Sequence, residues 1–138
     1  MAEDESDARG ACARSAISIV GIGKLGICFS AVFAGRHRVI GVDIREERVK
    51  EVNEKRIRTI EPSLPEYLRR SEELEATTDY GYAVANTDVT FIVVNTPSRA
   101  DWSFSNEQVE SALKGMLPAL REKKNHLVVV AAPLCPGP

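Results

Sequence analysis

The chain has 138 residues, of which 43% are hydrophobic and 28% charged, and its 18 basic and 20 acidic side chains leave a formal charge of −2. That length suits one hydrophobic core rather than two lobes, and the composition is that of a globular domain, not of a disordered or fibrous chain. A balanced charge provides no positive field for nucleic acid, and no apolar run approaches the roughly 20 residues of a membrane-spanning helix.

The amino terminus begins Met1-Ala-Glu-Asp-Glu5. It carries acid where a secretory signal is basic and has no apolar run behind it, so residues 1–15 read as a flexible leader and 16–138 as the single domain. Cys12, Cys28 and Cys135 are odd in number and unevenly spaced, which suits neither a disulfide framework nor a metal knuckle. A reducing cytoplasm and no metal site are the expectation.

Ordered sequence starts at Ala16 with Ala-Ile-Ser-Ile-Val, a short apolar run ending at glycine, the pattern of a strand buried on both faces. Residues 24–34 then place Leu25, Cys28, Phe29, Val32 and Phe33 at helical spacing, with Gly35 where a left-handed carboxyl cap is expected. A second strand, 38–43, leads into a helix over 46–53 whose first turn carries Glu46 and Glu47, the favourable sign for the positive end of its dipole. Ser63-Leu-Pro-Glu66 has the form of a capping box opening a short helix through Tyr67 and Leu68 towards Ser71. A short strand follows at 74–78, and then a helical turn at 80–85 started by Thr78 or Asp79.

Residues 89–94 form a stronger strand, closed by Asn95-Thr96-Pro97 because proline cannot donate to a ladder. Ser105-Asn-Glu-Gln108 starts a long helix with a stripe of Val109, Ala112, Leu113, Met116, Leu117 and Leu120, with Pro118 placed to kink its last turn. Residues 127–132 make the last strand. Strands alternating with helices at these intervals require crossovers, and so a parallel, doubly wound α/β sheet with helices on both faces.

The chemistry concentrates in Gly21-Ile22-Gly23-Lys24-Leu25-Gly26, a G-x-G-x-x-G run that follows a strand and opens a helix. Gly21 is expected to permit the tight turn, Gly23 the approach of a diphosphate, and Gly26 the close packing of helix on strand. The amides of Gly23, Lys24 and Leu25 then face an anion at the positive end of a helix dipole. Asp43 ends the second strand about 20 residues further on, where a carboxylate accepts hydrogen bonds from an adenosine ribose and repels a 2′-phosphate. Arg45 is a nearby positive charge able to offset such a phosphate, but as an exposed side chain it is outweighed by Asp43, and NAD is the expected cofactor.

Asn95, Thr96 and Pro97 lie at the strand end where open parallel sheets bind ligands, although such residues also make ordinary turns. His37 and His126 each precede a strand without a catalytic partner, and Trp102 and Phe104 read as local packing.

Taken in order, Ile19-Val-Gly-Ile-Gly-Lys-Leu-Gly26, Val39-Ile-Gly-Val-Asp43, Glu61-Pro-Ser-Leu64, Ala76-Thr-Thr-Asp79, Asp88 through Pro97 and Val128-Val-Val130 resemble the UDP-glucose/GDP-mannose dehydrogenase family. The likeness spans about Ala16 to Gly137 and implies a Rossmann-type domain. It further implies oxidation of the C6 alcohol of a UDP- or GDP-linked hexose to a uronic acid with two NAD in succession. By that likeness Asp43 and Arg48 would hold the adenosine ribose, and Val94 to Ser98 would line the cofactor crevice. The family's nucleophilic cysteine, its lysine and its sugar-nucleotide pocket lie in later domains, so no catalytic residue is expected here, and the chain is expected to be truncated and inactive alone. Residues 131–137 depart from the family's usual Ser-Thr-Val-Pro-Pro-Gly, with Pro133 where a cofactor-contacting threonine stands. A β-hydroxyacid-type dehydrogenase domain and a non-catalytic dinucleotide-binding module are the alternative readings. The partners expected are a nucleotide sugar held through other domains and a second copy of the chain, with no nucleic acid and no membrane.

Overall fold

The computed structural model describes residues 15–56, 66, 68, 69, 73–94 and 107–131. Leader residues 1–14 with Cys12, Glu61–Pro62, residues 63–65 of the capping box, Asn95 to Pro97, Trp102, Phe104, and residues 132–138 with Pro133 and Cys135 lie outside them.

Five parallel strands, β1 (Ile17–Val20), β2 (Val39–Val42), β3 (Leu74–Thr77), β4 (Val89–Ile92) and β5 (Leu127–Val130), form one sheet in the order β3-β2-β1-β4-β5. β1 is in register with Val39–Val42 on one side and with Val89–Ile92 on the other. The chain winds outward in one direction from β1 and then in the other, so a crevice opens between the carboxyl ends of β1 and β4, where the strand order reverses.

Among the described residues the helices α1 (Lys24–Phe33), α2 (Glu46–Asn53), α3 (Tyr80–Ala85) and α4 (Glu107–Glu122) cover the two faces. Alternation along each strand divides the core between them. Ile17, Ile19 and Val39 pack with Ile27 and Ala31 of α1 and Val52 of α2, while Val20, Ile40 and Val42 pack with Ala83, Val84, Val109, Ala112 and Met116 of α3 and α4. This is a Rossmann-type doubly wound domain.

Three expectations need correction. The buried face of α1 is Gly26, Ile27, Ser30 and Ala31; Leu25 and Val32 are 56% and 58% exposed, while Cys28, Phe29 and Phe33 are partly buried and pack against the core as expected. Close approach of helix to sheet selects small residues on the inner side, so the bulkiest stripe is not the innermost one.

Gly35 is not left-handed either. Past Ala34, which stays right-handed, α1 unwinds through bonds from Gly35 N to Val32 O (3.3 Å) and from Arg36 N to Phe33 O (3.0 Å). The left-handed cap belongs to α2, where Lys55 (φ 57°) is followed by Arg56 N donating to Glu51 O (3.0 Å) and preceded by the bond from Lys55 N to Val52 O (3.1 Å). On α4, Leu113 and Leu117 are 36% and 44% exposed, leaving Val109, Ala112 and Met116 as the buried stripe with Leu120 packed partly buried beside it.

Candidate functional site

The crevice is built outward from Gly21. Its amide donates to Val42 O (2.7 Å), and the amide of Val93 donates to Val20 O (2.7 Å), so the chain leaving β1 is held between its two neighbours. Gly21 has φ 95°, and a Cβ there would lie 2.7 Å from Val93 O, so both conformation and space require glycine. A Cβ on Gly26 would lie 1.7 Å from Gly21 O, which makes this the closest approach of α1 to the strand end among the glycines described.

Gly23 is different in kind. Among the described residues nothing lies within 4 Å of a Cβ placed on it, so none of their contacts explains a glycine here; it sits at the mouth of α1. The hydrogen bonding of that helix begins with Ile27 N donating to Gly23 O (3.0 Å), which leaves the amides of Lys24 and Leu25 ahead of its first turn of bonds. Among the described residues no side chain caps this end, and its first turn contains no acid. Lys24 and Leu25 turn their side chains outward, and Gly26 is buried.

Ile22 is wholly committed to the interior. Its side chain is 0% exposed and sits over Gly41, where a Cβ would meet Ile22 Cγ2 at 2.8 Å. Its amide donates to Asp43 Oδ2 (3.2 Å), and its carbonyl accepts from Arg48 Nε (2.7 Å). Arg48 also pairs with Glu51 (3.2 Å), so it clamps the glycine turn to α2 rather than lining the crevice.

Asp43 follows β2 with a side chain only 7% exposed. Besides the Ile22 amide it accepts from the Arg45 amide (2.9 Å at Oδ1), from Arg45 Nε (3.0 Å at Oδ1) and from Arg45 Nη2 (3.1 Å at Oδ2). Burial pushes its carboxyl up, but the Arg45 side chain, the Arg45 amide, the Arg45 charge and the Ile22 amide together outweigh burial and hold it below its ordinary value. Asp43 is therefore ionised at neutral pH. Arg45, read from sequence as an exposed charge outweighed by Asp43, is engaged with it as a two-pronged fork.

These residues border a cavity of about 450 Å³, inside the roughly 300–1,000 Å³ range of small-molecule sites. Of the residues singled out from sequence, Gly21, Gly23, Asp43, Arg45 and Val94 line it, Ile22, Lys24, Leu25, Gly26 and Arg48 do not, and Asn95, Thr96 and Pro97 lie outside the described residues. The structure adds Ile44, Tyr80, Gln108 and Ser111 to the lining.

Tyr80 is the instructive omission, because its ring fits only where α4 has no side chain: a Cβ on Gly115 would meet Tyr80 Cδ2 at 2.8 Å. Burial and the Asp43 charge raise its phenol pKa, so it stays neutral. The pairing of a tyrosine with a glycine 35 positions later was the available signal, and it could be read only once the helices were placed.

An open glycine corner at a helix amino terminus, a buried ionised carboxylate at the next strand end and a neutral aromatic wall fit a dinucleotide's diphosphate, ribose and base. Comparison with known sequences decides the family. Residues 15–137 match the profile of the UDP-glucose/GDP-mannose dehydrogenase family, NAD binding domain. The chain belongs to this family.

GDP-mannose 6-dehydrogenase of Pseudomonas aeruginosa is 36% identical over 126 residues, covering 88% of this chain and 29% of that protein. UDP-glucose 6-dehydrogenase of Haloferax volcanii is 36% identical over 124 residues, covering 87% of this chain and 29% of that protein. Among solved structures, a GDP-mannose dehydrogenase from P. aeruginosa superposes with a TM-score of 0.82 at 34% identity, over 88% of this chain and 29% of that one. A UDP-glucose dehydrogenase from Pyrobaculum islandicum gives 0.83 at 35%, over 90% and 30%. The chain thus spans under a third of the length of these relatives. Its family membership makes NAD the cofactor and sets aside the β-hydroxyacid-type reading.

Among the described residues no group of three His, Cys, Asp or Glu could hold a metal ion, and no helix is long and apolar enough to cross a membrane.

Proposed function

We propose that this chain is the cofactor-binding part of a nucleotide-sugar 6-dehydrogenase, which oxidises the C6 alcohol of a UDP- or GDP-linked hexose to the carboxylate. In that reading NAD supplies the hydride acceptor, and the residues here bind and orient it without touching the sugar. The main-chain amides of Gly23, Lys24 and Leu25 take the diphosphate, with Gly21, Ile22 and Gly26 shaping the turn that presents them. Asp43 accepts the hydroxyls of the adenosine ribose. Arg48 braces the turn through the Ile22 carbonyl, and Val94, Asn95, Thr96 and Pro97 line the crevice towards the nicotinamide.

The observation that carries the reading is the unobstructed space at Gly23 beside a buried, ionised Asp43. The middle glycine, unlike its two neighbours, has no contact to avoid among the described residues, and the approach of a ligand accounts for a glycine there.

Calorimetry with NAD tests it. Gly23→Val is expected to abolish measurable binding by filling the diphosphate's approach, and Asp43→Ala to weaken it by about tenfold through loss of a charge-assisted hydrogen-bond pair. The chain alone is expected to oxidise neither UDP-glucose nor GDP-mannose. Unchanged NAD affinity in both variants, or turnover by these residues alone, contradicts the proposal.

A further inference from the structure

We infer that Arg45 competes with the cofactor for Asp43 and thereby sets how strongly this site distinguishes dinucleotides with and without a 2′-phosphate. The inference rests on the reading that Asp43 receives the adenosine ribose. A carboxylate has about four acceptor positions, and here all four are occupied, two on each oxygen. A ribose diol cannot bond to Asp43 until some donors leave.

The Ile22 and Arg45 amides are main-chain groups fixed by the glycine turn and by the start of α2, where Arg45 O accepts from Arg48 N (3.1 Å) and Val49 N (3.2 Å). The donors that can leave are Nε and Nη2 of the Arg45 side chain, which is 60% exposed. The guanidinium also has somewhere to go. Arg45 lies between the crevice and a second hollow lined by Glu46, Glu47, Arg48 and Glu51, whose acids receive a released cation.

The consequence differs between cofactors. With NAD the fork must open and is replaced by two hydroxyls, so Arg45 acts against binding. With NADP the same guanidinium passes from the carboxylate to a dianionic phosphate, offsetting the repulsion that a lone Asp43 would exert.

Calorimetry with NAD and NADP on the 138-residue chain and its variants tests this. Arg45→Ala is expected to tighten NAD about threefold, the scale of an exposed ion pair removed, and to weaken NADP about tenfold by loss of a charge-assisted phosphate contact. In an Asp43→Asn background, where the fork has no charge to hold, Arg45→Ala should change NAD affinity by less than about twofold, because the two positions act through one interaction. Arg45→Met, which keeps the aliphatic stem, repeats the measurement without disturbing packing at the start of α2, and circular dichroism checks that each variant is folded.

A shift of both cofactors in the same direction, or weaker NAD binding in Arg45→Ala, overturns the inference and leaves the reading of Asp43 standing. Failure of the unsubstituted chain to bind NAD removes that reading, and this inference with it.

Discussion

The two ends of the sheet both hold buried polar groups, and they use them in opposite ways. At the amino ends of the strands, Ser18 Oγ meets Thr90 Oγ1 (2.6 Å), Thr87 Oγ1 reaches Ser18 (3.2 Å) and Ala83 O (2.8 Å), and Thr90 pairs with His126 Nε2 (2.7 Å). Lys123 Nζ closes this side over Val84 O (3.1 Å) and Thr87 O. These groups bond to one another and tie β1, β4 and the entry to β5 together. At the carboxyl ends Gly21 and Gly23 of the glycine turn border a cavity, and the carboxylate beside them is held by an arginine that is itself mostly exposed. Polarity that closes on itself is scaffold; polarity left facing space, or held by a partner able to leave, is where a ligand belongs.

Substitutions at each end should separate these roles. The largest effect is expected at Gly26, where a methyl group would overlap the Gly21 carbonyl. Gly26→Ala should lower stability by about 3 kcal/mol, the upper range for overpacking, as read by urea denaturation. By contrast, Gly23→Val should leave the denaturation midpoint close to that of the unsubstituted chain while eliminating NAD binding. If the two behave alike, the distinction between the structural and the ligand-facing glycine is wrong.

A smaller effect is expected at the amino end. Thr90→Val removes the hydroxyl shared by Ser18 and His126 and should cost about 1–2 kcal/mol, because it leaves buried partners without a bond, with the affinity for NAD unaltered. Altered NAD affinity would mean that this end communicates with the crevice.

The smallest effect is in the pH profile. Burial and then the Lys123 charge lower the His126 pKa below 6.5, against the opposing influences of its Thr87 hydrogen bond and the Asp88 charge. Among the described residues its buried Nδ1 has no side-chain or backbone hydrogen bond of ordinary geometry. The unfolded chain therefore takes up its proton first as pH falls. The stability contributed by neutral His126 should be complete above pH 6.5 and lost as pH drops through the lowered folded value. Thermal melts of the unsubstituted chain and of His126→Gln should converge below that window, and a constant difference between them contradicts the assignment.

Much of this was legible in the sequence, for a physical reason. β1, β2 and α2 fell close to where they were read, because fully buried parallel strands are unbroken apolar runs and their ends carry glycine or aspartate. The start of α3 at Asp79, whose Oδ1 accepts from Tyr82 N (3.1 Å), was legible for the same local reason.

What escaped depends on contacts distant in sequence. The inner face of α1 is chosen by how closely it must approach Gly21, not by its bulkiest residues. Asn53 docks α2 on the free edge of β3 through Ala76 N (2.8 Å) and Ala76 O (3.0 Å), a pairing that no local pattern announces. In the site, Gly21, Gly23 and Asp43 could be read from spacing alone, but Tyr80 depended on Gly115, and the Arg45 fork on the burial of Asp43.

The most direct test is to titrate the isotopically labelled chain with NAD and follow each backbone amide by NMR. The account predicts that the largest shifts fall on Gly23, Lys24 and Leu25, with Ile22 and Arg45 also moving as Asp43 changes partners, while Ser18, Thr87 and Thr90 stay still. Shifts centred on the amino ends of the strands, or an unmoved glycine turn at saturating NAD, would contradict it.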